Sequence, residues 1–321
     1  MANFVPKKAS IFSGSEGRRQ RGRDTVQAGK LGCLLLAGGQ GTRLRFDGPK
    51  GLFPIGPNGE TLFEIFRERR RVAGDDLPLA ILVSPENEVA TREAVPEAEI
   101  CVQETLPLLN EDGEEFLTAP GEPAVGPDGN GYALRHFVES GIWERWRARG
   151  VEYLNIALVD NPLGDPYDAE LAAFCEETGS DIVVKATKRR DPHEKVGVIV
   201  ADGEKLRVIE YSELEEPGDY DLANLSLFCL TMEFARRAAE VDLPLHRAHK
   251  AVPMWDGEKT VWPEAPNAWK SEYFIFDILP LADRADVICY PREECFAPLK
   301  NIEGEDSPET VRAALAARKG L

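Results

Sequence analysis

The sequence lacks the features of a membrane, secreted or zinc-binding protein. No apolar run reaches the length of a membrane-spanning helix, and no signal-peptide pattern opens the chain. The six cysteines are dispersed without a Cys-x-x-Cys pair, which indicates reduced core cysteines in a cytosolic protein. His246 and His249 have no third ligand near them in sequence, so we interpret them as a solvated helix end. We therefore expect a cytoplasmic protein without a membrane partner.

Positive charge is also scarce. The 38 lysines and arginines stand against 56 aspartates and glutamates, which gives a formal net charge of −18. A field of this sign repels nucleic acids and anionic membranes and argues against both as partners. Any phosphate-binding site must then be a local basic pocket. The 321 residues, 43% of them hydrophobic, are enough for one large domain with a sizeable core.

Apolar runs alternate with amphipathic segments from position 31 onward, a pattern typical of a mostly parallel sheet with crossover helices. We predict a lead-in segment over 1–30, a catalytic domain over 31–305 and a C-terminal helix over 306–321. The first part carries a cluster of basic residues at Arg18, Arg19, Arg21 and Arg23. We interpret this segment as a loosely packed lead-in, with an interaction arm as the alternative.

Local patterns predict individual elements. Apolar runs predict strands at 33–36, 79–83, 154–159, 182–186 and 225–230, and a hairpin over 196–211 that turns at Asp202-Gly203. Helix signals predict helices near 168–177, from about 233, from Ser307, and from Thr61, where a capping box precedes a buried stripe of Leu62, Ile65, Phe66 and Val72. The stretch 252–270 is predicted to be a loop that overhangs a site.

The most informative stretch reads Leu-Ala-Gly-Gly-Gln-Gly-Thr-Arg-Leu at 36–44, followed by Pro-Lys-Gly at 49–51. Glycines let backbone N–H groups approach phosphate oxygens, and Arg43 and Lys50 supply positive charge for a polyphosphate. A Walker loop would need Gly-Lys-Ser/Thr, and a dinucleotide fingerprint would need glycine where Leu44 stands. A structural turn is the remaining alternative.

This pattern resembles the signature of the eukaryotic-type UDP-N-acetylglucosamine pyrophosphorylases. The resemblance implies an α/β, Rossmann-like nucleotidyltransferase (GT-A-like) fold with a mixed, mostly parallel sheet flanked by helices. It also implies that Arg43 and Lys50 are catalytic and neutralise the departing pyrophosphate. The loop residues implied to bind the nucleotide are Leu36, Ala37, Gly38, Gly39, Gly41 and Thr42. Arg45 departs from the family, which commonly has glycine there.

A second motif is Pro-Asp-Gly-Asn-Gly at 127–131, which by itself is only a turn signal. It resembles a family element whose glycine contacts uracil and whose asparagine lies near the nucleotide-sugar, which implies these roles for Gly129 and Asn130. Tyr132 stands where the family has a second glycine. The resemblance further implies that Gln103 hydrogen-bonds uracil, with a surface glutamine as the alternative.

A third motif ends an apolar run with Leu-Val-Asp-Asn at 158–161. An acidic residue at the carboxyl end of a strand is where an open α/β sheet places its ligand chemistry. The resemblance implies that Asp160 holds Mg²⁺, or possible Mn²⁺, against the phosphates; a helix or turn cap is the alternative. One carboxylate is adequate for magnesium, which also binds phosphate and water. The same resemblance implies that Lys300, in Pro-Leu-Lys-Asn, binds phosphate near the reacting α-phosphorus.

The remaining motifs point to a sugar pocket. The resemblance implies that Gly197 and Glu210 contact the sugar hydroxyls and amide, and that Asn224 also contacts the sugar. A carboxylate that accepts two hydroxyl donors commonly fixes a sugar. Phe274 and Phe276 alternate on one face of a predicted strand, and the resemblance implies that they wall the N-acetyl pocket. Core packing is the alternative for the two aromatics.

These observations favour a UTP-dependent sugar-1-phosphate uridylyltransferase. The favoured reaction converts N-acetylglucosamine-1-phosphate and UTP into UDP-N-acetylglucosamine and pyrophosphate, so the expected partners are UTP and a hexosamine-1-phosphate. One alternative is a UDP-glucose, UDP-N-acetylgalactosamine or broad UDP-sugar pyrophosphorylase. Another is a non-catalytic nucleotide-sugar-binding protein. The sequence does not distinguish sugar epimers and does not indicate an oligomeric state.

Overall fold

The computed structural model describes residues 4–214 and 218–318. The strands in chain order are β1 (Val5–Pro6), β2 (Ile11–Phe12), β3 (Leu31–Leu36), β4 (Leu79–Val83), β5 (Glu99–Val102), β6 (Thr105–Pro107), β7 (Leu109–Asn110), β8 (Leu117–Ala119), β9 (Glu122–Pro123), β10 (Val125–Pro127), β11 (Tyr153–Leu158), β12 (Ile182–Lys188), β13 (Val198–Asp202), β14 (Lys205–Ile209), β15 (Leu222–Thr231), β16 (His246–Lys250), β17 (Met254–Trp255), β18 (Thr260–Val261), β19 (Ala268–Glu272) and β20 (Ala285–Cys289). The helices are α1 (Glu16–Gln27), α2 (Leu62–Ala73), α3 (Glu88–Ala94), α4 (Ala133–Glu139), α5 (Ile142–Ala148), α6 (Ala169–Thr178), α7 (Met232–Ala239), α8 (Arg292–Cys295) and α9 (Pro308–Ala317). Short 3₁₀ helices occupy Thr42–Leu44, Lys50–Leu52, Pro85–Asn87 and Ile275–Leu281.

A mixed, mostly parallel sheet forms the centre of the domain. Its main order is β2-β20-β12-β15-β11-β3-β4-β5, and β15 runs antiparallel to both of its neighbours. The other adjacent pairs along this path are parallel. The carboxyl ends of β3, β4, β5 and β11 therefore meet at one edge, where an open α/β sheet binds its ligands. The predicted fold class and the five predicted strands are confirmed.

The sheet is buried on both faces, as β3 shows. All six of its residues are buried, and alternate side chains point into two separate cores. Cys33 and Leu35 pack in the core that includes Phe63 of α2, whereas Leu34 packs in the core that includes Trp146 of α5. The continuous apolar run that marks this strand in the sequence is thus explained by burial on both sides.

The segment from β1 to α1 is packed within the domain, so the expectation of a loosely packed lead-in is wrong for residues 5–27. Strand β1 pairs with β13 and β2 pairs with β20. Helix α1 packs on α6, where Arg18 and Arg19 contact the buried carboxylate of Glu170 at 3.4 and 3.0 Å. The basic cluster is therefore largely engaged within the chain, because its acidic partners are supplied by a helix far away in sequence.

Gly22 allows α1 to approach α6 closely, and its replacement by alanine is expected to destabilise the fold. An added Cβ would lie 1.7 Å from the backbone oxygen of Ala169, which must then shift. We expect Gly22→Ala to lower the free energy of unfolding by about 3 kcal/mol, the upper range for overpacking. Urea denaturation measures this change.

Gly17 provides a matched control in the same helix. A Cβ there would meet only the end of the Arg21 side chain, at 3.9 Å. Gly17→Ala should leave the free energy of unfolding unchanged or raise it by up to about 1 kcal/mol, because alanine favours the helix. Equal stabilities for the two variants would contradict close packing of α1 on α6.

The predicted helix starts at Thr61 and Ser307 are confirmed, but one residue of the predicted buried stripe is not buried. Thr61 and Glu64 form the predicted capping box of α2, and Ser307 begins α9 with Pro308 at its first turn. Val72 was expected in the buried stripe of α2 but is 74% exposed, because α2 turns that face to solvent near its last turn.

Two further expectations need correction. The stretch 252–270 is not one loop. It contains β17 and β18, which pair with each other, and its last residues belong to β19, which pairs with β16. His246 and His249 lie on strand β16 and not at a helix end. All six cysteines are buried and free, as predicted. Among residues 4–214 and 218–318, no helix combines the length and hydrophobicity needed to cross a bilayer.

Candidate active site

The glycine-rich loop leaves β3 at the carboxyl edge of the sheet. Asn87, which is fully buried, donates from its side-chain amide to the backbone oxygens of Gly38 and Gly39 at 3.1 and 3.2 Å. One buried amide therefore holds two successive carbonyl groups of the loop against the segment that follows β4.

Gly38 is required where the loop crosses Gln103. A Cβ at this position would lie 2.0 Å from Oε1 of Gln103, whose side chain is buried to 4% exposure at the end of β5. The structure therefore brings the predicted uracil-binding glutamine directly against the predicted nucleotide loop. The two motifs are separated by about sixty residues in sequence, and the parallel pairing of β3, β4 and β5 joins them.

This contact supports a prediction about nucleotide binding. With UTP as the nucleotide that the resemblance implies, Gly38→Ala is expected to displace Gln103 and raise the KM for UTP about tenfold, the effect expected for one lost hydrogen bond in a buried site. Because the alanine acts through Gln103, the double variant Gly38→Ala/Gln103→Ala should be no worse than the poorer single variant. Steady-state kinetics of all three variants measure the coupling. Additive effects would show that Gly38 and Gln103 act separately.

The loop then forms a tight turn that presents Arg43. The N–H of Gly41 donates to Gly48 at 3.0 Å, and a Cβ at Gly41 would lie 2.9 Å from the Phe46 side chain. Thr42 and Arg43 lie on the exposed 3₁₀ turn, which ends at Arg45 in the left-handed conformation, with φ of 52°. In the described part of the chain, the exposed Arg43 side chain forms no ion pair. It is thus available to an anionic ligand.

Lys50 connects the loop to the neighbouring strand end. Its N–H donates to the Gly39 carbonyl at 3.1 Å, and its ammonium lies 3.4 Å from Oδ2 of Asp160 and 3.4 Å from the Leu299 carbonyl. The Leu299 N–H in turn donates to the Asp160 backbone oxygen at 2.7 Å. Three predicted segments, the glycine loop, the Val-Asp-Asn motif and the Pro-Leu-Lys-Asn motif, therefore converge on one point.

Asn161 holds this convergence together and was not among the predicted site residues. Its fully buried amide donates to the Cys295 carbonyl at 2.8 Å and accepts the N–H of Ala297 at 3.0 Å. The segment that leads to Lys300 is thereby tied to the end of β11. The signal was present in the sequence, because Asn161 directly follows Asp160 in the motif.

The Pro-Asp-Gly-Asn-Gly segment is fitted against residues 273–275. Gly129 has φ of 92°, and a Cβ there would lie 2.3 Å from the Tyr273 backbone oxygen. Asn130 accepts the Ile275 N–H on its side-chain oxygen at 2.9 Å. Tyr132 packs against Tyr273 with ring centroids 4.4 Å apart, so the residue that departs from the family pattern has a packing partner.

The predicted sugar-binding residues also come together. A Cβ on Gly197 would lie 2.9 Å from Oε1 of Glu210, and the Gly197 carbonyl accepts the N–H of Asn224 at 2.8 Å. Asn224 lies at an irregularity of β15, where its side chain binds Ser226 and Ser226 adopts φ of 49°. A strained non-glycine residue held by its surroundings is typical of a functional site.

Glu210 and Lys300 form the charged part of this region. Burial raises the pKa of Glu210 above its usual value, and the nearby Lys300 ammonium opposes that rise. Lys300 lies 3.9 Å from the Asp306 carboxylate and over the ring of Phe296. Its side chain is 38% exposed, so the ammonium is accessible from solvent.

The predicted strand at Phe274 and Phe276 is wrong. The chain leaves extended structure at Phe274 and forms a 3₁₀ helix over Ile275–Leu281. The Asp277 N–H donates to the Phe274 carbonyl, and the Ile275 N–H donates to the side-chain oxygen of Asn130. The two rings nevertheless stack with centroids 5.1 Å apart. Phe276 is 4% exposed, and Phe274 is half-buried beside it.

The family model described as UTP–glucose-1-phosphate uridylyltransferase matches residues 5–230. The chain belongs to this family. The predicted resemblance and the predicted enzyme class, a nucleotidyltransferase, are therefore confirmed. The match begins within the N-terminal segment, in agreement with the pairing of β1 and β2 in the sheet.

Several members of known identity are similar over nearly the whole chain. UDP-N-acetylglucosamine diphosphorylase 1 of Arabidopsis thaliana is 33% identical, with 97% of this chain and 70% of the relative covered. The UDP-N-acetylglucosamine pyrophosphorylase of Saccharomyces cerevisiae is 32% identical, with 91% and 69% covered. This chain thus spans about two thirds of the length of these curated relatives.

A solved structure of the family shares the fold. The uridine diphosphate N-acetylglucosamine pyrophosphorylase from Trypanosoma brucei, solved in complex with an inhibitor, superposes with a TM-score of 0.81 at 25% sequence identity. The alignment covers 97% of this chain and 72% of that structure. The mixed sheet of this chain is therefore shared with a solved member of the uridylyltransferase family.

Asp160 is the candidate metal ligand of this site. Its Oδ1 is buried without a hydrogen-bond partner among the described residues, and its Oδ2 faces Lys50. Across residues 4–214 and 218–318, no group of three or more His, Cys, Asp or Glu side chains could hold a metal alone. Magnesium often takes one or two carboxylates and completes its octahedron with phosphate oxygens and water. Asp160 therefore fits a metal that is shared with a bound nucleotide.

Proposed function

We propose that this chain catalyses uridylyl transfer from UTP to N-acetylglucosamine-1-phosphate. The observation that carries the proposal is the convergence of Lys50, Asp160 and the segment before Lys300 at the carboxyl edge of the sheet. A polyphosphate placed between the glycine loop and this point would meet positive charge on two sides. The relatives named as UDP-N-acetylglucosamine pyrophosphorylases support the choice of sugar.

The reaction needs no nucleophilic side chain. A phosphate oxygen of the sugar-1-phosphate forms a bond to the α-phosphorus of UTP. The bond from that phosphorus to the bridging oxygen breaks, and its electron pair leaves with pyrophosphate. Catalysis then consists of alignment and charge stabilisation. Arg43 and Lys50 would neutralise the leaving pyrophosphate, and Lys300 would face the α-phosphate oxygens.

Asp160 would hold Mg²⁺, with Mn²⁺ as a substitute, and the metal would supply further positive charge to the phosphates. Lys50 contacts the same carboxylate, so its ammonium must share Asp160 with the metal or turn to the phosphates when nucleotide binds. Gln103 and Gly129 would bind uracil, and Glu210, Asn224 and the aromatic pair would bind the sugar. We also propose a cytoplasmic location, which the six buried, unpaired cysteines support.

The relative rates on three sugar phosphates test the proposal. Purified protein with UTP and Mg²⁺ should release pyrophosphate fastest with N-acetylglucosamine-1-phosphate, more slowly with the N-acetylgalactosamine epimer and most slowly with glucose-1-phosphate. Fastest release with glucose-1-phosphate would show that the preferred sugar is glucose, the sugar named in the family description, and not N-acetylglucosamine. Tight calorimetric binding of UDP-sugar without release from any sugar phosphate would favour a binding protein.

A further inference from the structure

His246 is a site residue that no motif predicted. Its Nδ1 lies 3.0 Å from Oε1 of Glu213, and its Nε2 lies 2.9 Å from Oδ2 of Asp277. The side chain is 19% exposed. Both ring nitrogens are therefore engaged by carboxylates that come from two different segments of the chain.

The same imidazole packs on the aromatic wall of the proposed sugar pocket. Its ring centroid lies 4.9 Å from that of Phe274 and 6.2 Å from that of Phe276. Glu213 closes the turn that begins at Glu210, because its N–H donates to the Glu210 carbonyl at 2.9 Å. One side chain thus joins the turn that carries Glu210 to the 3₁₀ helix that carries the aromatic residues.

The two contacts define the charge that suits this position. An ionised carboxylate only accepts hydrogen bonds, and a neutral imidazole has one N–H and one lone pair. The imidazolium, with two N–H donors, satisfies Glu213 and Asp277 together. Burial lowers the pKa of His246, but the hydrogen bonds to Asp277 and Glu213 outweigh burial and raise the pKa above its usual value.

The other charges around His246 also favour a cation. Glu210 adds a third carboxylate, with Lys300 opposing it, and Arg207 acts on Asp277 from β14. Across the strand pair, His246 is opposite Glu272, which pairs with Lys270 at 3.0 Å. Around the imidazole, the carboxylates of the turn and the 3₁₀ helix therefore outnumber the cations that oppose them.

We propose that His246, as an imidazolium, is a positioning residue for the sugar-1-phosphate. By bonding Glu213 and Asp277 at once, it fixes Glu210 relative to Phe274 and Phe276. Its own hydrogen bonds go to Glu213 and Asp277 and not to the proposed nucleotide contacts, which are the glycine loop, Gln103 and Gly129. This inference rests on the proposed function, because it concerns residues that are proposed there to bind the sugar.

The direction of the pH dependence follows from the sign of the shift. A histidine whose pKa is raised by its partners makes its full contribution below its ordinary pKa, and the contribution disappears as the pH rises through the raised value. The KM for N-acetylglucosamine-1-phosphate should therefore be low near pH 6 and increase on the alkaline side. The KM for UTP should not follow the same curve.

His246→Gln tests this role, with His249→Gln as the matched control. His249 is three residues along the same strand, on the other face, where it stacks on Trp269 at 4.5 Å and contacts Glu111. We expect His246→Gln to raise the KM for N-acetylglucosamine-1-phosphate about tenfold at pH 6.5 and to abolish its alkaline increase. The KM for UTP and kcat should stay within about threefold, and His249→Gln should match the wild type.

Glu213→Gln keeps the test decisive if His246→Gln folds poorly, since Glu213 is half-exposed. It removes one partner of the imidazole, so the alkaline increase in KM should move to lower pH. Wild-type turnover with unchanged KM and unchanged pH profile in both variants would overturn the positioning role and leave the proposed function intact. Failure of wild-type protein to turn over any sugar phosphate would instead refute the proposed function.

Discussion

Replacement of Asp160 by asparagine is expected to lower kcat by about a thousandfold, the upper range for loss of one electrostatic contact to a transition state. The substitution removes the carboxylate that would hold the metal and the partner of Lys50, while it retains the size of the side chain. Steady-state pyrophosphate release measures the loss, and binding of Mn²⁺ in the presence of UTP measures the metal directly. Both should decline together.

Asp202 offers a control for the removal of a single negative charge. It lies on the exposed β13–β14 hairpin and pairs with Arg207 at 2.7 Å. Asp202→Asn should keep kcat within about twofold, as expected for a surface ion pair. If Asp160→Asn retained wild-type turnover and Mn²⁺ binding, Asp160 would be a structural cap at the end of β11.

Arg43→Ala is expected to reduce turnover by a factor of about one hundred or more, with little change in the affinity for UDP-N-acetylglucosamine. The product has no β,γ-pyrophosphate for Arg43 to contact. Lys300→Ala should weaken both turnover and product affinity, because its ammonium faces a phosphate that is present before and after the reaction. Calorimetry with the product and steady-state kinetics separate the two variants.

The comparison tests the assignment of the two cations to opposite sides of the reacting phosphorus. Neither substitution should unfold the protein, because Arg43 is exposed and the 38% exposed Lys300 side chain has only a long ion pair, of 3.9 Å, to Asp306 and a contact with the Phe296 ring. If Arg43→Ala lost product affinity as severely as Lys300→Ala, the assignment would be wrong.

The sequence was most informative where function is encoded in consecutive residues. The glycine loop, the strand-end Asp160, the capping box of α2 and the Ser307 start of α9 are local patterns, so they are visible without the fold. Parallel strands then bring these separate patterns to one edge. The glycine loop and Asp160 each follow a buried strand that the sequence also marks, so their placement at one edge was predictable, while their roles toward a ligand stay predictions.

Prediction failed where the deciding partner is distant in the chain. The arginines of α1 resemble a solvated cluster until α6 supplies Glu170 from about 150 residues away. His246 resembled a surface residue because Glu213 and Asp277 lie more than thirty residues from it on either side. The aromatic pair followed the alternation of a strand, but the Ile275 N–H donates to Asn130 and the Asp277 N–H donates to Phe274, which produces a 3₁₀ helix.

The central claim is that this site joins UTP to a hexosamine-1-phosphate. The most direct measurement is to incubate the protein with UTP, Mg²⁺ and N-acetylglucosamine-1-phosphate and to quantify both products, one by mass spectrometry and the other by pyrophosphate assay. We expect UDP-N-acetylglucosamine and pyrophosphate in equal amounts, and neither without the sugar phosphate. Absence of both products with wild-type protein that binds UTP would contradict it.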